Sequence, residues 1–188
     1  MKRNTADLLK KGEIGIMPTD TIYGVVGSAL NPKTVDKIYN FRKRDISKPM
    51  IILISAIADL KKFGIVITSK QRDFLNKNWP NPVSVILPCP GEKFAYLHRG
   101  KKSLAFRQPK NGNLRKLLKE TGPLVAPSAN PEKEKPAETI EEAKNYFGNK
   151  MAFYTDAGEL KSKPSTIVRL YEDGKCIIVR QGTYKILI

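Results

Sequence analysis

The apolar residues of this chain come in short runs, each cut off by a proline, a glycine or a polar cluster, and that spacing leaves few folds open. Ile14-Gly-Ile-Met17, Met50-Ile-Ile-Leu-Ile54, Val83-Ser-Val-Ile-Leu87, Leu104-Ala-Phe106 and Leu124-Val-Ala126 each have the length of a buried strand. A further apolar stretch, 23–30, reads as a strand running back through the sheet. Between them lie segments with helical spacing. Residues 4–11 have Asn4 or Thr5 as cap, and a second helix opens at Asn31-Pro32 and carries Val35, Ile38, Tyr39 and Arg42 on one face. Its basic end, Arg42-Lys43-Arg44, suits the negative pole of a helix. Further helices are expected near 56–63, 69–78 and 113–121, and over 139–147, where Thr139 and Glu142 make a capping box. The C-terminal part is β-rich, at 151–155, 166–171 and 176–180, with Asp173-Gly174 as a hairpin turn. Segments 88–102 and 131–136 read as polar loops, the first able to cover a site. Strands and helices interleaved over 188 residues predict α/β architecture: a single domain, 1–188, with a twisted mixed sheet.

Composition narrows the function. No run reaches the roughly 18 consecutive apolar residues of a membrane span. Met1-Lys-Arg leads into polar residues rather than a signal-peptide core, so the expected place is the cytoplasm, with no membrane partner. Cys89 and Cys176 are far apart and the single histidine is His98, which supports neither a disulfide framework nor a metal site; both thiols are expected to be buried packing. The net charge of +16 points to an anionic ligand, nucleic acid or nucleotide phosphate.

Several strands stop at small polar or basic residues: Thr19-Asp-Thr21, Arg107, Ser128-Ala-Asn130, Ser165-Thr166 and Arg180-Gln-Gly182. If these ends meet, they form a pocket of hydroxyls, amides and arginines suited to phosphate and carboxylate groups. Both Arg107 and Arg180 are expected to hold their heads at a strand end rather than in the core. There is no Walker-type phosphate loop, no GxGxxG and no nucleophile elbow, and no serine or cysteine stands near a plausible base. Covalent catalysis is not expected. The residues present can bind, orient and neutralise charge, which is what phosphoryl or nucleotidyl transfer asks of a protein.

The motifs Pro18-Thr-Asp-Thr-Ile-Tyr-Gly24, Ile38-Tyr39 with Arg42-Lys-Arg44 and Lys48-Pro49, Trp79-Pro-Asn-Pro82, Ala105-Phe-Arg107-Gln-Pro109, Pro127-Ser-Ala-Asn130, Pro164-Ser-Thr-Ile167 and Arg180-Gln-Gly182 stand in one order over about residues 5–183. In this the sequence resembles the YrdC-like family, the threonylcarbamoyl-adenylate synthases, in the short form without an extra C-terminal domain. The resemblance implies helices around a deep basic cavity. It implies a nucleotidyltransferase that turns L-threonine, bicarbonate and ATP into threonylcarbamoyl-AMP and pyrophosphate, for threonylcarbamoyladenosine modification of tRNA. Mg²⁺ would accompany ATP, held mainly by the nucleotide and water. Carried over by position, Thr21, Arg107 and the Ala126 backbone would face threonine. Arg44, Lys48, Ser103, Ser128, Asn130, Ala137, Ser165 and Arg180 would face the nucleotide. Arg44, Arg107 and Arg180 would be the catalytic cations. Weak tRNA binding and a downstream threonylcarbamoyl-transferase machinery are the implied partners.

The sequence departs from that family in three places. Arg42 stands for the usual lysine, Asp45 for the usual proline, and Leu53 where many members carry a histidine that contacts threonine. Threonine recognition then leans on Thr21, Arg107 and the backbone near Ala126. Two rivals remain: a basic RNA-binding module without catalysis, and a carbamoyl-transfer enzyme containing the same domain.

Overall fold

A computed structural model describes residues 4–187. Local signals set most elements. Asn4 caps α1 (Thr5–Lys10) by accepting from Ala6 N, and Asn31 caps α2 (Pro32–Arg42) by accepting from Thr34 N. Thr68 and Gln71 form the capping box of α3 (Ser69–Asn78). Asn111 caps α5 (Gly112–Thr121) and Thr139 caps α6 (Ile140–Phe147). The expected helix at 56–63 is a 3₁₀ helix, Ile57–Phe63.

The strands are β1 (Gly15–Pro18), β2 (Tyr23–Ser28), β3 (Ile51–Leu53), β4 (Val83–Pro88), β5 (Ser103–Arg107), β6 (Leu124–Val125), β7 (Phe153–Tyr154), β8 (Thr166–Leu170) and β9 (Cys176–Arg180). They join in one sheet in the order β7-β1-β2-β6-β3-β5-β4-β8-β9. Pairing is mixed: β1–β7, β3–β5 and β4–β8 are parallel, and the other neighbours are antiparallel. Gly15 lets β7 come close, since a Cβ there would lie 2.3 Å from the Phe153 ring.

Apolar side chains gather in two clusters. The larger holds Tyr23, Val25, Ile52, Ile54, Val85 and Phe106 with residues of α2, α3 and α6. The smaller joins Leu9 of α1 and Leu114 and Leu118 of α5 to Met17, Val26, Leu53, Leu124 and Ala126. Ala126 of this cluster, and Ile51 packed against it, also line the candidate site.

Two expectations need correction. Segment 88–102 is not a free polar loop. It holds a 3₁₀ turn at Glu92–Phe94 and a short helix, α4 (Ala95–His98), with Phe94, Leu97 and His98 buried. Their i, i+3, i+4 spacing is helical, but the polar surroundings hide it in the sequence. The segment docks on α2: Arg99 pairs with Asp36 at 2.6 Å and lies 4.4 Å from the Tyr39 ring centroid. Of the two thiols, Cys89 is buried while Cys176 is only half-buried.

Candidate active site

Proline has no N–H, so β1 ends at Pro18 and the chain turns sharply. Thr19 Oγ1 donates to Ile22 O at 2.7 Å and accepts from Thr21 N at 3.2 Å. The segment after β6 is stitched along β2: Val25 N donates to Pro127 O at 2.9 Å and Ala129 N to Tyr23 O at 3.0 Å. That lays Ser128 beside Gly24. The register places Arg107 beside Leu53, and Ile167 between Ser84 and Arg180.

These elements enclose a cavity of about 290 Å³. Its lining includes Thr19, Thr21, Ser128 and Ser165 as hydroxyls, and Arg44, Arg107 and Arg180 as cations. Gly24, Ile51, Ala126 and Ile167 add an apolar surface, and among the described residues no carboxylate lines it. All five polar strand ends singled out in the sequence therefore contribute to one locus. At Ala126 the N–H is taken by Ile51 O at 3.0 Å, so a backbone contact to a ligand falls to its carbonyl.

The three arginines are held differently. Arg44 donates through Nε to Lys48 O and through Nη2 to Pro49 O, both at 3.0 Å. Arg180 Nη2 donates to Ser165 O at 2.8 Å, while its residue stays exposed. Arg107 stands at the end of its strand as expected, but its head is buried rather than held clear of the core. It is 3% exposed, and its Nη2 lies 3.0 Å from Asp20 Oδ1, whose side chain is 3% exposed. Burial pulls the Arg107 guanidinium below its ordinary range, Asp20 opposes this, and the nearby Arg180 charge adds to it. Partial desolvation at the cavity wall also lowers Arg180, although the residue as a whole remains exposed. The Asp20 contact is close enough for an ion pair but off hydrogen-bond geometry, so both carboxylate oxygens and Arg107 Nε lack a protein hydrogen-bond partner. Buried polar groups without a partner are uncommon and mark places prepared for more than packing.

Arg42 was read as a cation for the helix end. Its head is instead buried, donating through Nε to Asn130 O at 2.9 Å and through Nη2 to Ser128 Oγ and Asn130 Oδ1 at 3.2 Å. Burial and the neighbouring Arg44 lower its pKa to about 10. It ties α2 to the Ser128–Asn130 turn and so sets one wall. Its signal was legible: with Val35, Ile38 and Tyr39 it falls on the buried face of α2. Asp20 stands inside a singled-out motif without an assigned role; it is the buried partner of Arg107.

Four carried-over residues lie outside the lining. Asn130 is buried and its Nδ2 donates to Pro131 O and Glu134 O at 2.8 Å, which also anchors the loop expected to be flexible. Ala137 is buried with its N–H on Ala129 O. Ser103 opens β5 opposite Pro88, about 13 Å along the strand from Arg107. Lys48 is turned away toward Glu132. Asp45 faces its own loop, accepting from Ser47 N at 2.9 Å, rather than the cavity. Leu53, although in register with Arg107, is fully buried in the smaller apolar cluster. A histidine at 53 would bury an imidazole there.

The family model described as "Telomere recombination", that of the Sua5/YciO/YrdC proteins, matches residues 7–182. The chain belongs to the Sua5/YciO/YrdC family. A Methanocaldococcus jannaschii protein provisionally named threonylcarbamoyl-AMP synthase is 32% identical over 98% of this chain and 89% of its own. The Bacillus subtilis threonylcarbamoyl-AMP synthase is 33% identical over 66% of this chain, which spans only 37% of that protein. The structure of Pyrococcus abyssi Sua5 complexed with L-threonine superposes with a TM-score of 0.85 at 26% identity, over 94% of this chain and 52% of Sua5. Among these Sua5/YciO/YrdC relatives, the chain thus spans nearly the whole of one and about half or less of the others.

In this family member Gly182 fixes the Arg180 wall. A Cβ at 182 would lie 2.2 Å from Pro164 O and 2.4 Å from Ser165 C. Gly182→Ala must push residues 164–166 and Arg180 apart, at a cost of about 1–3 kcal/mol. Urea unfolding should show that loss; an unchanged stability would contradict this packing.

Proposed function

We propose that the chain is a threonylcarbamoyl-AMP synthase, a nucleotidyltransferase acting on L-threonine, bicarbonate and ATP. The observation that carries this reading is the convergence of Arg44, Arg107, Arg180, Thr21, Ser128 and Ser165 on one cavity. Relatives named for that activity and a Sua5 complexed with L-threonine support the choice of substrates.

In this reading Arg107 and the Thr21 hydroxyl donate to the threonine carboxylate, and the Ala126 carbonyl accepts from the threonine amine or hydroxyl. Bicarbonate gives up hydroxide to yield carbon dioxide; the free amine adds to its carbon and loses a proton, which leaves with the hydroxide as water, giving a carbamate. A carbamate oxygen attacks the α-phosphorus in line, and pyrophosphate leaves with the electrons of the broken P–O bond. Arg44 and Arg180 neutralise charge on the phosphates, fixed in advance by their carbonyl partners. Positioning and charge do the work, so no protein nucleophile is required. Among the described residues no group of His, Cys, Asp and Glu is placed to hold a metal. In this reading Mg²⁺ accompanies ATP, held mainly by the nucleotide and water, and pyrophosphate release should fall when it is chelated.

We also propose weak, sequence-independent binding to tRNA, because Lys61, Lys62, Lys101, Lys102, Lys116 and Lys119 are exposed and lie outside the cavity lining. Each phosphate neutralised adds about −0.7 to −0.9 to the slope of log affinity against log salt. Filter binding across a salt series should give a negative slope; a flat response would return the +16 charge to solubility. Among the described residues no helix is long and apolar enough to cross a membrane.

A further inference from the structure

Two loops border the cavity, and one contact joins them. The 43–49 loop supplies Arg44 and Pro49 to the lining, and the 128–136 segment supplies Ser128 and Pro136. Between them the Glu132 carboxylate accepts from the Lys48 ammonium and from the Asp45 backbone N–H. The Glu132 N–H in turn donates to Arg42 O at 2.7 Å. Lys48 Nζ also lies 3.9 Å from Asp45 Oδ2. Lys48 and Arg44 share a loop, yet only Arg44 reaches the lining. The hydrogen bond from Lys48 holds the Glu132 carboxyl below the usual carboxylate range.

We propose that Glu132 is an affinity-determining residue of the nucleotide site: its carboxylate holds Lys48 off the cavity, and a polyphosphate ligand binds by taking the lysine from it. The inference rests on the ATP reading above. Lysine suits such an exchange, being a point charge on a flexible stem with three donors. The contact is also weak enough to break, since the Lys48 and Glu132 side chains are 55% and 19% exposed and solvent screens them. A polyphosphate offers several charges where Glu132 offers one.

The test uses the full chain and two probes, ATP and inorganic tripolyphosphate, titrated by calorimetry. Glu132→Gln keeps an acceptor for the Asp45 N–H and removes the charge; Glu132→Ser serves if the glutamine variant loses thermal stability. Removing the competitor should tighten both probes about two- to fivefold, the range of an exposed ion pair. The gain should vanish in a Lys48→Met background. Tightening of tripolyphosphate with no ATP binding in any form would uphold the exchange and overturn the ATP reading. Unchanged or weaker tripolyphosphate binding in Glu132→Gln, a gain that survives Lys48→Met, or no polyphosphate binding at all would overturn the proposal.

Discussion

Arg180→Ala is expected to lower kcat for pyrophosphate release about 10²–10³-fold while leaving the thermal midpoint nearly unchanged. The residue is exposed, and its guanidinium hangs on a single strong contact, to Ser165 O at 2.8 Å. Little packing is lost with it. What disappears is a cation fixed in advance where phosphate charge develops, typically about 2.7–4 kcal/mol of transition-state stabilisation. Arg180→Lys should recover only part of the rate, because an ammonium cannot present the planar fork of a guanidinium. Turnover near wild type at saturating substrate would make Arg180 a solvated strand end.

Arg107→Ala is expected to cost stability as well as activity, unlike Arg180→Ala. Removing the arginine leaves the Asp20 carboxylate, 3% exposed, without the cation that pairs with it at 3.0 Å. Breaking one side of a buried pair costs about 3–5 kcal/mol. For a chain of this size that is a thermal shift of about 6–20 °C. The double variant Asp20→Asn with Arg107→Ala should regain much of the stability and none of the activity. Equal stability of the single variant and wild type would show that Asp20 is not held by Arg107, and recovery of activity in the double variant would remove Arg107 from substrate binding.

The sequence carried the site's outline because each strand end announces itself. An apolar run that stops at Thr19-Asp-Thr21, Arg107, Ser128 or Arg180 is a local signal, and the sheet brings those ends together. Depth was not local. Arg107 and Arg180 look alike in the chain, each a basic residue after a short strand, but β5 lies inside the sheet and β9 at its edge. Only the strand order tells them apart. Arg42 shows a conflict between two local readings, a cation for the helix pole and a residue on the apolar face; the second prevailed because Ser128 and Asn130 supply its acceptors from 86 and 88 positions away. In segment 88–102, three buried residues at helical spacing were outweighed by the polar residues between them. Glu132 carries no signal of its own, since a carboxylate in a charged loop reads as solvated until Lys48 is seen against it.

Pyrophosphate release from ATP by the purified chain, with L-threonine and bicarbonate supplied together, singly or not at all, tests the central reading most directly. Release should require both, and threonylcarbamoyl-AMP should form in step with pyrophosphate. Release that persists without threonine or without bicarbonate, or no release with all three present, would contradict it.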